Sequence, residues 1–230
     1  GTIEAKRAAV LRGKVMTRDG DPLPGVTITI LNHPEYGQTL SRLDGMFDIA
    51  VNGGGILTVT YGKPGFLPVQ RNVWTVWEDY ALLPDVVMLQ LDTNVSTIDL
   101  TSATPIQVAR GNVVNDTDGT RQGTLFFPQG TTAELIMPDG SRSHINTLSV
   151  HITEYTVGEN GPNAMPAELP PAVAYTYAVE YTVAEAEVLG AKQVVFSAPI
   201  PYYLENFIGF PVGMNVPAAT YDRDKAAWVP

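Results

Sequence analysis

The 230-residue sequence contains no cysteine. That excludes a disulfide framework, a thiol nucleophile, an iron–sulfur cluster and any cysteine-ligated zinc. It fits exported bacterial proteins, and many cytosolic ones as well. Charge is scarce: 17% of residues are charged, against about 25% in an average globular protein. What charge there is leans acidic, with a net −10 at neutral pH. Such a surface repels phosphate backbones, so nucleic acid is not an expected partner. Histidine occurs only at His33, His144 and His151. No Gly-x-Ser-x-Gly elbow accompanies them, which leaves a hydrolase triad without its parts. No apolar run reaches the ~18 residues of a membrane span, and no basic amphipathic helix is present, so this segment is not expected to insert in a membrane. A signal peptide is also missing. The opening Gly-Thr and the closing Trp-Val-Pro read as the ends of a segment cut from something longer, so that absence decides nothing.

Turn residues are abundant. The 21 glycines and 18 prolines are dispersed and act as punctuation between short alternating runs. Residues 10–16 alternate. In 26–31, Val26, Ile28 and Ile30 share one face while Thr27 and Thr29 share the other. After a turn at Leu43–Gly45, Phe47, Ile49 and Val51 form another such face. Residues 52–55 (NGGG) make a turn, 56–61 a strand, 62–65 a turn, and 66–73 a strand that Pro68 assigns to a sheet edge. Residues 85–91 close a set of roughly seven strands. From about residue 92 the same punctuation resumes, with a long polar, proline-rich loop at 159–171. Tyr177, Val179, Tyr181 and Val183 alternate on one strand, and a helical turn or two over 184–189 is ended by Gly190. The expected fold is all-β, with two consecutive antiparallel β-sandwich domains of Ig/transthyretin-like type. Residues 1–9 are a lead-in, 10–92 the first domain and 93–230 the second.

The chemistry-bearing patterns are weak. Asn115–Thr120 (NDTDGT) has the Asp-x-Asp-Gly look of a calcium loop but has Leu125 where an EF-hand has its glutamate. An Asp-Gly hairpin is the plainer reading, and calcium at Asp116 and Asp118 stays open. His144 and His151 could meet on paired strands, without an evident third ligand. Residues 52–55 lack the Gly-Lys-Ser/Thr and the helix of a phosphate loop. Glu185 and Glu187, two apart, read as a solvated face. Phe196–Ser197 is similar to the His-Phe-Ser of self-cleaving β-sandwich modules, but Val195 stands where their base belongs. No catalytic, cofactor or metal residue is assigned, and the expectation is a non-enzyme. The remaining signal is aromatic: Tyr202, Tyr203, Phe207, Phe210, Tyr221 and Trp228 lie near prolines, where they serve a core, a protein interface or a sugar-stacking platform.

Two stretches carry a resemblance. The Gly-x-Val strand at Gly13–Val15, the PLPGV turn at 22–26, the Asp-Gly-x-Phe hairpin at 44–47 and the Lys-Pro-Gly-Phe turn at 63–66 resemble the carboxypeptidase regulatory-like, or transthyretin-related, module. That resemblance implies a seven-stranded, non-catalytic sandwich over about 10–91. Residues 93–230, including GTLFFPQGTTAELIMPDGS and VVFSAPIPYYLENFIGFPVGMNVP, resemble the region that follows such a module in bacterial Rhs/YD-repeat proteins and their teneurin relatives. There, YD repeats wind into a hollow β-shell, a fibronectin-like plug closes one end, and bacterial shells often hold a C-terminal toxin. The implied role is a structural module of a secreted or cell-surface bacterial protein that seals or supports one end of the shell. The implied partner is the YD-repeat shell of the same polypeptide. Tyr202, Tyr203, Phe207, Ile208, Phe210, Pro211, Val212 and Met214 are the expected contacts, on a bent strand. This chain has a single Tyr-Asp pair, Tyr221–Asp222, and no repeats. The other reading is an adhesive or carbohydrate-binding sandwich, recognising a glycan or a cell-surface protein, with Tyr202 or Trp228 on its platform.

Overall fold

The computed structural model describes residues 2–158, 161–169 and 177–229. They form two units: one holds 1–90, 158–178 and 215–230, and the other holds 91–157 and 179–214. No helix among the described residues is long and apolar enough to cross a membrane.

The first unit is a two-layer sandwich. One layer contains β1 (Ala8–Met16), flanked by β4 (Met46–Asn52) and β7 (Asp79–Leu82), with β8 (Val86–Val87) pairing farther along β1. The other runs in the order β3 (Gln38–Leu40), β2 (Thr27–Ile30), β5 (Gly55–Gly62) and β6 (Val69–Thr75). The alternation read from sequence is the burial pattern observed. Val26, Ile28, Ile30, Phe47, Ile49 and Val51 are buried, and Thr27 and Thr29 are half-exposed. Phe47 meets Tyr61 edge-on, with ring centroids 5.6 Å apart, a favoured aromatic geometry. Gly45 is required at its turn: φ is +77°, and a Cβ there would lie 2.4 Å from the Val15 carbonyl oxygen. β6 ends its sheet, as Pro68 suggested. β7 had no place among the expected strands. It and β8 run parallel to β1, because the chain crosses from one layer to the far edge of the other after β6. The remaining pairs of this unit are antiparallel.

The second unit contains β9 (Ser96–Asp99), β10 (Ile106–Arg110), β11 (Val114–Asp116), β12 (Gly119–Arg121), β13 (Thr124–Pro128), β14 (Ala133–Ile136), β15 (Arg142–Ile145) and β16 (Thr147–Glu154). It continues with β17 (Val179–Val183), β18 (Gln193–Phe196) and β19 (Tyr202–Tyr203). Three short antiparallel sheets, β10-β13-β19, β15-β14-β18 and β17-β16-β9, surround one core that includes Ile98, Leu125, Phe127, Leu135, Leu148, Val150 and Ile152. A six-residue helix, Ala184–Leu189, ends at Gly190 in the left-handed conformation, as the sequence indicated. Glu185 of this helix accepts hydrogen bonds from the Ser149 amide and hydroxyl at 2.8 and 2.7 Å. It ties the helix to β16 and is not part of a free acidic face.

The chain then returns to the first unit. Residues 161–169, expected as a polar loop, instead bury Ala164, Met165 and Ala167. The reason is backbone satisfaction: Arg71 of β6 donates to the carbonyls of Met165 (3.0 Å) and Asn163 (2.8 Å), and the Gln70 amide donates to Pro166 (2.8 Å). Where a strand edge and a buried guanidinium supply donors, a non-repetitive segment can leave water without orphaned carbonyls. A hairpin of β20 (Thr220–Asp222) and β21 (Ala227–Val229) docks beside it. The Tyr221 hydroxyl donates to Gln70 Oε1 at 2.7 Å, and Gln70 Nε2 donates to the Arg223 carbonyl at 3.1 Å.

Two outcomes follow for the first unit. Gln70→Leu removes both bonds to the hairpin and lowers unfolding free energy by about 1–3 kcal/mol, read by urea denaturation. The Tyr61 hydroxyl is buried without a hydrogen-bond partner among the described residues, and burial pushes its pKa up. Tyr61→Phe therefore leaves stability unchanged or raises it by about 1 kcal/mol, read in the same assay.

Candidate functional site

The segment following β19 exposes Ile208, Val212 and Met214 within seven residues. It is built on a buried cation. Arg121, at the end of the β11–β12 hairpin, is 1% exposed. Its Nη1 and Nη2 donate to the two carboxylate oxygens of Asp116 at 2.8 and 2.9 Å, and its Nε and Nη2 donate to Glu154 Oε1 at 2.8 and 2.6 Å. The planar fork matches a bidentate carboxylate, which is why arginine can be buried here and lysine could not replace it. These bonds raise the guanidinium pKa, with the Asp116 hydrogen bond the largest cause, and the same bond holds the Asp116 carboxyl below its ordinary range. Both Asp116 oxygens are committed to Arg121, so Asn115–Thr120 is a hairpin turn closed around an ion pair.

The exposed face of the guanidinium plane is covered by Phe207, whose ring centroid lies 4.6 Å away. That is cation–π distance, worth about 0.5–2 kcal/mol. Gly119 leaves room for this approach, since a Cβ there would touch Phe207 Cβ at 3.4 Å. One residue pair earlier, Glu205 accepts from the Gln122 amide at 2.7 Å. The root of the segment is therefore fixed at Glu205 and Phe207.

Beyond that root the expected bent strand is absent. Asn206 clasps Phe210 both ways, donating to its carbonyl (2.7 Å) and accepting from its amide (2.8 Å). The Met214 amide donates to the Pro211 carbonyl at 3.1 Å. Gly209 and Gly213 take positive φ of 69° and 86°, which side-chain-bearing residues rarely adopt. The result is two linked turns. Strand pairing fails because Pro211 has no amide hydrogen and the two glycines reverse the chain.

The structure divides the eight residues expected to meet a shell. Tyr202 faces the core and meets Tyr181 edge-on at 5.3 Å. Phe207 covers Arg121, and Phe210 is half-buried. Tyr203 (55%), Ile208 (40%) and Met214 (47%) are exposed, as is the whole of Val212, with Pro211 beside it. None of the eight is buried. Trp228 is half-buried, donates its indole N–H to the Glu168 carbonyl at 3.0 Å and meets the Tyr221 ring at 5.3 Å. The histidines do not converge. His144 lies exposed 3.5 Å from Glu134, and His151 sits 2.8 Å from the Asp92 carbonyl. No group of three or more metal-ligating side chains occurs among the described residues. Arg121 was missed in the sequence because a lone arginine after an Asp-Gly turn has no pattern. Its carboxylate partners lie 5 and 33 positions away.

Removing one member of a buried ion pair costs about 3–5 kcal/mol. Arg121→Met is expected to lose that much in urea denaturation and to increase amide exchange over 205–210. Because the folded Asp116 pKa lies below its unfolded value of about 3.9, its stabilisation is complete above that pH. It is lost as pH falls through the folded value. The melting temperature should drop below about pH 4, and Asp116→Asn should flatten that acid limb.

Comparison with known proteins bears on both units. The sequence model of the family "Teneurin TTR-like domain" matches residues 3–88. Teneurin-3 of Danio rerio is 27% identical over 223 residues, covering 84% of this chain and 8% of that protein. Teneurin-3 of Mus musculus is 40% identical over 93 residues, or 40% of this chain and 3% of its own length. Teneurin-m of Drosophila melanogaster is 41% identical over 87 residues, covering 38% and 3%. The chain thus spans only a small part of the curated relatives it matches. Among solved structures, a streptococcal ancillary pilin aligns with TM-score 0.32 and 11% identity, over 76% of this chain and 59% of that one. So weak a likeness carries no weight for fold or function. The sandwich core of the first unit and its turn residues agree with the match of residues 3–88 to the Teneurin TTR-like domain model.

Proposed function

We propose that this chain is a non-catalytic structural module of a large secreted or cell-surface YD-repeat protein. In this reading the second unit plugs one end of the β-shell formed by the same polypeptide, and the shell encloses a C-terminal domain. The observation that carries the reading is the pair of exposed apolar turns held on a buried ion-pair anchor. A curved β wall ends in unpaired strand edges around an apolar lumen. A stopper for it needs apolar side chains on a backbone that bends without requiring strand partners. Ile208, Pro211, Val212 and Met214 meet that need. The long alignment to zebrafish teneurin-3, which continues well beyond the TTR domain, supports the same setting. The bacterial Rhs context and a toxin cargo rest on the sequence resemblance, and the relatives named above are animal proteins.

Pre-fixing the root of the segment lowers the entropy lost on docking. Substituting Ile208, Val212 and Met214 together by serine should leave the melting temperature of this chain nearly unchanged, because all three are exposed. The same substitutions should weaken association with a separately produced YD-repeat region at least about tenfold, the equivalent of ~1.4 kcal/mol, by calorimetry. Unchanged association would remove the turns from the contact.

A further inference from the structure

The outer face of the β10-β13-β19 sheet carries a second arrangement, apart from the turns. Strand pairing sets Arg110 opposite Thr124 and Thr124 opposite Tyr203. Opposed residues on antiparallel strands project to the same face. A guanidinium, a hydroxyl and a phenol ring therefore form one row across three strands, about 10 Å wide at ~4.8 Å per strand spacing. Phe126, two residues along β13, shares that face, whereas Ala109, Leu125, Phe127 and Tyr202 point into the core. Arg110, Gln122, Thr124, Phe126, Tyr203 and Glu205 line an open cleft of about 340 Å³.

The polar groups in this cleft are only partly engaged. Arg110 has no ion-pair partner among the described residues. Glu205 uses Oε2 to accept from the Gln122 amide, and the Gln122 side-chain nitrogen donates to the Gly111 carbonyl at 2.9 Å. Tyr203 is tied down through its backbone, by pairing with Thr124, while the residue stays 55% exposed. An aromatic ring held on a strand and left in water is a pre-organised contact surface.

We propose that this cleft binds a neutral saccharide, with a pyranose ring against Tyr203 and its hydroxyls bridging Arg110 and Glu205. A sugar ring has one face lined by C–H groups, which packs on an aromatic ring, and a rim of hydroxyls that both donate and accept. Arg110 supplies only donors and Glu205 only acceptors, so together they satisfy that rim. The two side chains carry opposite charges, so a ligand with net charge of either sign would be repelled by one of them, whereas a neutral rim of hydroxyls can hydrogen-bond to both. A polyanion is disfavoured by the surroundings, because the second unit, residues 91–157 and 179–214, contains 4 basic and 11 acidic side chains. The volume sits at the lower end of the ~300–1,000 Å³ range of small-ligand sites, suited to one or two sugar rings.

The cleft shares Glu205 with the root of the turns, but its test residues, Tyr203 and Arg110, differ from the turn residues Ile208, Val212 and Met214, so either assignment can fail without the other. The test uses the protein of this sequence on an array of immobilised oligosaccharides ending in glucose, galactose, mannose or N-acetylglucosamine. Parallel positions end in N-acetylneuraminic acid or carry heparin. Saturation-transfer NMR on the free sugars accompanies the array. The expected result is binding to at least one neutral sugar, reduced at least about tenfold by Tyr203→Ala and by Arg110→Gln. Tyr80→Ala, which removes an exposed ring of the first unit, should leave that binding unchanged. Both cleft residues are exposed, and an unchanged melting temperature would verify that the variants fold. An array without neutral-sugar signal, signal confined to the acidic glycans, or binding that survives both cleft substitutions would overturn the proposal.

Discussion

The second unit depends on the burial of one positive charge. Taking a guanidinium out of water costs several kcal/mol unless its donors are met. Arg121 meets them with two carboxylates and covers its remaining face with an aromatic ring. Once that centre exists, three pieces of chain distant in sequence are fixed together: the β11–β12 hairpin, the end of β16 and the segment entering at Glu205. The hairpin cannot open without stranding Asp116, and Phe207 cannot leave without uncovering the ion. An apolar segment with no strand or helix of its own thereby gains a defined root, while its outer turns keep their side chains in solvent.

A similar solution appears in the first unit. Arg71 and Gln70, adjacent on β6, offer donors to the carbonyls of 163–166 and to the β20–β21 hairpin. In the first unit these hydrogen bonds end mainly on backbone, and in the second the ion pair of Arg121 is joined by Glu205 and Asn206, which bond to backbone amides and a carbonyl. This explains how a sequence with so many glycines and prolines and so few charges can still specify a structure. The alternating strands supply the cores, and a few well-placed arginines, together with Gln70 and Asn206, position what lies between them.

The strands of the first unit were legible because hydrophobic alternation has a period of two residues, and Val26-Ile28-Ile30 and Phe47-Ile49-Val51 show it without interruption. β7 was not legible. Glu78 enters it at a positive φ of 55°, and only Ala81 of its four residues is buried, so no alternating face announces it. The buried stretch at 161–169 was hidden for another reason: its burial is stabilised by donors some 90 positions earlier, which no local pattern encodes. The turn segment after Glu205 was legible in composition but not in conformation. Its apolar, bent character is plain in the residues, whereas the linked turns depend on the Asn206 clasp and on left-handed glycines. Arg121 left no trace, because its importance comes from partners brought together only by folding.

The central claim is that the turns at 206–214 are an anchored surface shaped for another part of the same polypeptide. A cryo-EM structure of a natural polypeptide that contains this chain, with the YD-repeat region the proposal requires, tests it most directly. The account predicts that Ile208, Val212 and Met214 lie buried against the shell wall while the Arg121 centre keeps the geometry described above. It would be contradicted if those three side chains stayed in solvent with the shell mouth closed by other residues.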